Sequence, residues 1–424
     1  MKLFLRTFGC RANQYDTEAV RAMALAAGAE LVADAALADV AVFNSCAVTT
    51  EAEADLRQQV RRAARANPGL RTLIMGCASA LPEREGALSL RALPTVSHTL
   101  PGADLAGVAL ALGVTPPAGV RTTHQTGARA LLRIQDGCDE HCTFCATTLA
   151  RGASRSRPEE TLVEEAERLA ALHPEIVLTG VHIGSYGADT ATSLGALLER
   201  LVRDVPQVRF RLSSLEATEV DDRLAELLTG APGRVAPYLH APLQSGSDRL
   251  LRRMGRHWYT AATYAAAIER LVARAPVFGV GADVIAGFPG ETADDHAATL
   301  ALLAALPVTG LHVFPWSARP GTAAERLGAR VAGDVARGRA AALRALGASL
   351  ETRYRAGRAG GTADVVVCRE GGDERTGLTE DYLSVRPGDP ASPRRSRYAA
   401  RLRSHGGRLV ADAIGPVTQL PAGQ

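Results

Sequence analysis

Apolar positions near the start of the chain follow two alternating periods. Lys2–Phe8, Asp39–Asn44 and Arg71–Met75 are short apolar runs of strand length. Between them, Thr17–Ala27 and Thr49–Ala66 repeat at helical spacing, the first ended by Gly28 and the second just before Pro68. This β–α–β–α–β order predicts an open parallel sheet covered by helices. From Gly113 to Gly127 the chain is rich in Pro, Gly and Thr, with Pro116, Pro117 and Gly119 marking a linker. Six strand-like runs follow: Ala130–Gln135, Glu175–Thr179, Arg209–Ser213, Ala236–His240, Gly281–Ile285 and Gly310–Phe314. Helical stretches such as Pro158–Leu172 and Leu194–Val205 separate most of them, which predicts a partial TIM-type (βα)6 barrel. A helix-rich, Ala/Arg-dense stretch runs from Val331 to Arg358, and Gly360–Gly361 break it. Beyond lie β-type runs at Ala363–Val367, Tyr382–Val385 and Arg408–Ile414. The expected class is therefore α/β: an N-terminal α/β domain (1–112), a linker (113–127), a partial barrel (128–358) and a small C-terminal β domain (362–424).

A length of 424 residues suits several domains, and a net charge of +3 does not mark a strongly basic chain. Lys2 is the only lysine, so arginine fills ordinary surface positions as well as special ones. One local cluster stands out: Pro393-Arg394-Arg395-Ser396-Arg397, with Arg401 and Arg403 beyond. It reads either as a solvated loop or as a basic surface suited to RNA. Arg6 interrupts the apolar start and no cleavage-site pattern follows, so a cytoplasmic chain is expected. The apolar segment Ala297–Trp316 carries Pro307 and His312 and does not read as a membrane span.

Seven cysteines in such a chain argue for metal binding or catalysis over a disulfide framework. Cys368, after three valines, reads as a buried strand residue. The densest signal is Gly137-Cys138-Asp139-Glu140-His141-Cys142-Thr143-Phe144-Cys145, a C-x3-C-x2-C spacing. Three thiolates on one loop hold three irons of a cubane and leave the fourth open. A zinc site completed by His141 or a distant residue is the alternative. The loop follows the first barrel strand, at the end where such barrels keep their chemistry. Glycine-bearing or polar segments follow the next strands at the same end: Thr179–Gly184, Ser213–Glu216, Pro242–Gly246 and Gly287–Glu291. Cys10, Cys46 and Cys77 lie apart in sequence, but each comes just past a strand-like run. In an open parallel sheet ligands bind beyond the C-terminal strand ends, so three thiols in register there point to a second metal centre, with three independent small buried residues as the alternative.

The C-x3-C-x2-C spacing resembles the radical S-adenosylmethionine superfamily. Taken with Gly9-Cys10-Arg11-Ala12-Asn13-Gln14, Asn44-Ser45-Cys46-Ala47-Val48-Thr49, Pro242–Ser247 and Gly287–Glu291, the chain resembles the radical S-adenosylmethionine methylthiotransferase family over essentially its whole length. That resemblance implies two 4Fe-4S clusters and S-adenosyl-L-methionine. Cys138, Cys142 and Cys145 would hold the catalytic cluster, and Cys10, Cys46 and Cys77 the sulfur-donating one. It also implies cofactor contacts at Phe144, Gly180, Ser213, Glu216, Gln244 and Gly287, a TRAM-like C-terminal domain, a tRNA substrate, an electron donor of flavodoxin or ferredoxin type, and no membrane. Gly9–Ala19 and His312–Ser317 look most like the branch acting on N6-threonylcarbamoyladenosine at tRNA position 37. The isopentenyladenosine and ribosomal-protein branches are alternatives, and a zinc-bound RNA-binding protein is one of a different class. The sequence departs from relatives at Ala146-Thr147-Thr148-Leu149, where they often carry Ile-Ile-Pro-Tyr, and in the Arg-rich later half of the tail.

Overall fold

The computed structural model describes residues 1–47, 50–82, 88–101, 104–115, 122, 124–369 and 375–418. Val48, Thr49 and the linker residues Pro116, Pro117 and Gly119 lie outside the described residues. Contacts divide the chain into two compact units. One comprises Met1–His124, Gln135–Arg155 and Ser317–Arg326; the other comprises Gln125–Ile134, Ser156–Trp316 and Leu327–Gln424. The Cys138 loop, which the sequence puts in the barrel domain, thus clusters with the N-terminal residues.

The first unit is built on a parallel sheet of β1 (Lys2–Thr7), β2 (Glu30–Leu31), β3 (Val40–Ser45), β4 (Arg71–Gly76) and β5 (Val96–Pro101). Its spatial order is β2-β1-β3-β4-β5. Alternation within the strands sorts the two faces. Leu3, Val40, Val42, Leu73 and Met75 pack on α1 (Arg11–Ala26) and α3 (Leu105–Leu112). Ala41, Phe43 and Ile74 pack on α2 (Thr50–Ala66) through Leu56, Val60 and Ala63. Strands buried on both faces read as continuous apolar runs, which is why β3 and β4 show so plainly in the sequence, while β1 is only partly buried and carries exposed Lys2 and Arg6. The edge strands β2 and β5 do not: one is two residues long, and the other is half-exposed and ends on Pro101. Helix α1 also begins six residues before the expected Thr17, because Asn13 and Asp16 are fully buried polar residues that break the apolar period.

In the second unit six parallel strands follow one another in chain order. Ala130–Arg133, Glu175–Thr179 and Arg209–Leu212 form one sheet, and Tyr238–His240, Gly279–Ala286 and Gly310–Pro315 the next. Bridges Phe210–Val235 and Ser214–His240 join the two, giving the expected partial barrel. Ile176, Leu178, Phe210, Leu212, Leu239, Val280, Ala282 and Val284 face the helical layer in one core. By the two-residue period, Glu175, Arg209, Arg211, His240 and Asp283 lie on the opposite, inner face.

At the N-terminal strand ends that inner face carries a buried ion cluster. Glu175 is fully buried and meets Arg209 at 2.6 Å, Arg211 at 2.7 Å and Arg129 at 3.5 Å. Two of these guanidiniums also reach the C-terminal domain: Arg209 donates to the Asp364 carbonyl and Arg211 to that of Thr379, each at 3.0 Å. Tyr238 stacks on Tyr382 at 4.4 Å with Arg211 over both rings. The C-terminal domain therefore caps the barrel end opposite the expected active-site loops.

That domain is a closed barrel of Thr362–Arg369, Thr376–Leu378, Ser384–Pro387, Arg408–Ala413 and Arg397–His405. Val365, Val367, Val385, Tyr398, Ala400 and Leu402 fill it. The Arg-rich stretch is thus partly a strand, with Tyr398, Ala400 and Leu402 inward and Arg401 and Arg403 exposed. The rest of the basic cluster is tied into the fold. Arg394 and Arg395 donate to the carbonyls of Thr126 and Gln125, and Arg397 pairs with Asp364. Among the described residues, no helix is long and apolar enough to cross a membrane.

Candidate active site

Each N-terminal cysteine stands where a strand of the first unit ends. Cys10 follows β1 and caps α1 in extended conformation, Cys46 follows β3, and Cys77 follows β4. The strand ends are fixed by hydrogen bonds between them. Phe8 N–H donates to the Asn44 carbonyl at 2.8 Å and Cys77 N–H to that of Ser45 at 3.1 Å. The Asn13 amide donates to Ser45 O at 2.6 Å and Phe8 O at 3.2 Å, while Asn44 donates back to Asn13 O at 2.8 Å. The Ser45 hydroxyl donates to Met75 O at 2.6 Å. Buried backbone groups at three strand ends are thereby satisfied by side chains.

These contacts bring the thiols together. Cys10 and Cys77 each lie 3.8 Å from the same oxygen, Asn13 Oδ1. A Cβ added at Gly9 would stand 2.6 Å from Cys46 Sγ, and Gly9 has φ +100°. Gly76 repeats the device before Cys77: its φ is +101°, and a Cβ there would lie 2.4 Å from both Asn44 Oδ1 and Ser45 O. In both places a glycine lets a strand turn sharply into its cysteine.

The Cys138 loop belongs to the same unit. Gly137 has φ +76°, and a Cβ on it would clash with Ala153 O at 1.9 Å. Cys138 N–H donates to Gly152 O at 3.0 Å, and Ser154 N–H to Asp139 Oδ1 at 3.0 Å, so the loop closes on itself. Backbone N–H groups also reach sulfur: Glu140 to Cys138 and Thr147 to Cys145, each at 3.4 Å. Such donors stabilise thiolate ligands and tune iron–sulfur centres. The divergent Ala146–Leu149 stretch caps and begins α4 (Thr147–Arg151), whose Thr147 hydroxyl lies 3.1 Å from Cys145 Sγ. Behind the loop, Ala324 N–H donates to Thr143 O at 2.7 Å.

Arg151, at the end of α4, joins the surroundings of both triads. Its side chain is 1% exposed. It donates to Asp16 at 2.7 Å, to Asn13 Oδ1 at 2.9 Å and to Asp136 at 2.9 Å. Burial opposes its charge, but Asp16 and Asp136 hold its pKa above the ordinary arginine value. Burial pushes the Cys77 thiol up to about 11, against the opposing pull of Arg151. A metal ion bound at Cys77 would have to displace that proton. Sequence reasoning did not assign roles to Asn13, Asp16, Asn44, Ser45 or Arg151. Their buried polar character is visible only once the strand ends are brought together.

Three cysteines on one loop are a donor set that fits an iron–sulfur centre. Among the described residues, neither cysteine triad gathers its sulfurs within 4.8 Å of one another, the close approach a single zinc ion demands.

The expected cofactor-contact residues divide between the units. Phe144 is half-buried in the cysteine loop. In the second unit, Gly180, Ser213, Gln244 and Gly287 all follow C-terminal strand ends. Gln244 holds φ +65°, a strained value for a non-glycine residue, while its N–H donates to Asp283 O at 2.8 Å and its carbonyl accepts from Ile285 at 3.0 Å. Gly287 has φ +76° and donates its N–H to Glu291 at 2.7 Å. Glu216 is committed to the protein, accepting from Trp258 Nε1 at 2.8 Å and pairing with Arg256.

Two family models match this chain: the Uncharacterized protein family UPF0004 over residues 2–95, and the Radical SAM superfamily over residues 132–303. The threonylcarbamoyladenosine tRNA methylthiotransferase MtaB of Rickettsia prowazekii is 36% identical over 76% of this chain and 77% of its own length. The protein of the same name from Aquifex aeolicus is 31% identical over 91% of this chain and 96% of its own. The tRNA-2-methylthio-N(6)-dimethylallyladenosine synthase of Acidithiobacillus ferrooxidans is 34% identical over 77% of each chain. Identity and coverage of this extent, with the radical SAM match over residues 132–303, show that the chain is a transferase belonging to the radical S-adenosylmethionine methylthiotransferase family.

Proposed function

We propose that this enzyme converts N6-threonylcarbamoyladenosine at position 37 of tRNA to its 2-methylthio derivative. The observation that carries the reading is the gathering of Cys10, Cys46 and Cys77 at three adjacent strand ends, in the unit that also holds the Cys138–Cys145 loop. One cysteine triad serves cofactor cleavage, and a second is needed to deliver sulfur. The threonylcarbamoyl substrate is supported by the names of the Rickettsia and Aquifex relatives and by the Gly9–Ala19 and His312–Ser317 motifs. The Acidithiobacillus relative supports isopentenyladenosine as a second reading.

When bound, the two 4Fe-4S clusters and S-adenosyl-L-methionine supply hydrogen abstraction from an unactivated C–H bond and the sulfur that replaces the hydrogen. The chain's own residues arrange that chemistry. Cys138, Cys142 and Cys145 hold three irons of one cluster, and the N–H donors of Glu140 and Thr147 support their thiolates. Cys10, Cys46 and Cys77 hold the other. Arg151 keeps a buried positive charge beside Cys77. By the family resemblance, Phe144 in the first unit and Gly180, Ser213, Gln244 and Gly287 in the second are the S-adenosylmethionine contacts we propose, with glycines where backbone must approach the ligand. Glu216 acts indirectly, through Arg256 and Trp258. Residues 1–112 form the sulfur-donating domain, 128–358 the radical domain and 362–424 a TRAM-like domain, a reading its closed five-stranded barrel supports. The enzyme works in the cytoplasm and draws electrons from a flavodoxin- or ferredoxin-type donor.

Mass spectrometry of tRNA nucleosides from cells with and without the gene tests the substrate. Loss of the 2-methylthio form, with accumulation of threonylcarbamoyladenosine, is the expected result. An unchanged threonylcarbamoyl profile with a lost isopentenyl derivative would move the enzyme to the second reading.

A further inference from the structure

The inner face of the barrel carries a set of ligand-type side chains that belongs to neither cysteine triad. His240 ends the fourth strand, Asp283 lies within the fifth, and His312 lies within the sixth, directly paired in register with Asp283. His240 Nε2 is 3.1 Å from Asp283 Oδ1, His312 Nδ1 is 3.2 Å from the same oxygen, and the two nitrogens are 3.3 Å apart. Three donor atoms thus form a nearly equilateral triangle.

We propose that His240, Asp283 and His312 form a binding site for a divalent transition-metal ion of the zinc or ferrous type. Two imidazoles and one carboxylate are the ligand set such ions favour, and three protein ligands leave other positions open. The centre of a triangle with these sides lies about 1.9 Å from each corner, so an ion at the usual ~2.1 Å sits about 1 Å out of the ligand plane. Its remaining positions then face away from the triangle, toward water or an oxygen ligand.

A hydrogen bond between the two imidazoles leaves the carboxylate oxygen beside them unsatisfied. Asp283 Oδ1 is buried and receives no well-aligned hydrogen bond among the described residues, although two ring nitrogens stand beside it. His240 Nε2 and His312 Nδ1 stand within hydrogen-bond reach of each other, and both lie within 3.2 Å of that oxygen, so three donor atoms share one small space. A shared cation would take a lone pair from each of the three atoms, the unsatisfied oxygen included.

The surroundings are built for the arrangement. Ser214 Oγ sits 2.8 Å from His240 Nδ1, which fixes that ring and leaves Nε2 directed at the site. Gly281 gives the ring room, since a Cβ there would lie 2.9 Å from His240 Cδ2. Asp283 and His240 have 19% and 13% of their side chains exposed, while His312 has 63%, so the site is buried on one side and open on the other. The inference stands on these barrel residues alone and does not depend on which nucleoside is modified.

The test is zinc binding by the anaerobically purified enzyme carrying its full iron complement. Equilibrium dialysis against micromolar Zn²⁺, with elemental analysis, measures zinc and iron together. One zinc per chain is expected. Asp283→Asn and His240→Asn should abolish it, His312→Asn should weaken it by roughly tenfold or more, and Ser214→Ala by roughly tenfold. His257→Asn, at an exposed histidine elsewhere, should leave it unchanged. An unchanged iron count in His312→Asn and Ser214→Ala separates loss of the ion from loss of the fold. Absence of bound zinc in the parent enzyme, or zinc that survives Asp283→Asn and His312→Asn, overturns the proposal.

Discussion

A guanidinium held out of water must be paired, and Arg151 is paired with Asp16, Asp136 and Asn13 at once. Replacing it strands two carboxylates, one of them fully buried. Breaking such a pair costs about 3–5 kcal/mol, well above the cost of losing a surface ion pair. Arg151→Met is therefore expected to lower the urea midpoint of the metal-free chain, and Arg151→Lys to recover part of it, since lysine keeps the charge but not the three-way fork. Cys77 gives a pH-dependent counterpart. Its pKa is raised, so the protonated thiol adds stability below the unfolded value of 9.0, and that stability is lost as pH rises through about 11. In the metal-free chain, alkylation of Cys77 by iodoacetamide should be slow at neutral pH and should accelerate toward pH ~11. Alkylation at neutral pH as fast as that of a free thiol would show that burial does not hold the proton.

At the scale of elements, the site is made by turns at strand ends. Gly76 must leave β4 with φ +101° between Asn44 and Ser45. Gly76→Ala should cost about 1–3 kcal/mol and strip iron from the first triad while the Cys138 triad keeps its own. Elemental analysis with electron paramagnetic resonance of the reduced protein distinguishes the two clusters, and full iron in the variant would refute the role given to this turn. The same elements show what could be read from sequence. The six barrel strands are legible because their outer residues, such as Ile176, Leu178 and Leu212, keep a strict two-residue period against helices. Cys10, Cys46 and Cys77 are legible as a set because each follows such a run. The start of α1 is not, because polar Asn13 and Asp16 occupy core positions. Arg397–His405 does carry a two-residue period, with Tyr398, Ala400 and Leu402 inward, but its arginines read first as a basic cluster. Arg151 is silent in sequence because Asp16, its buried partner, is 135 positions away.

For the whole molecule, the arrangement requires two separable functions. The N-terminal triad rests on β1, β3 and β4 and their network of Asn13, Asn44 and Ser45, while the Cys138 loop is closed by its own bonds to Gly152 and Ser154. Loss of one triad's cluster should therefore leave the other loop folded. Cys46→Ala is expected to retain about four of about eight irons and still form deoxyadenosine from S-adenosylmethionine, yet yield no methylthiolated nucleoside. Cys142→Ala is expected to retain a similar amount of iron but form no deoxyadenosine. Anaerobic iron analysis and chromatography of the cleavage product measure both. If Cys46→Ala still made methylthiolated tRNA, sulfur delivery would have to come from elsewhere. If it lost all its iron, the two triads would be one cooperative structure, and Arg151, between Asp16 and Asp136, would be the first connection to test.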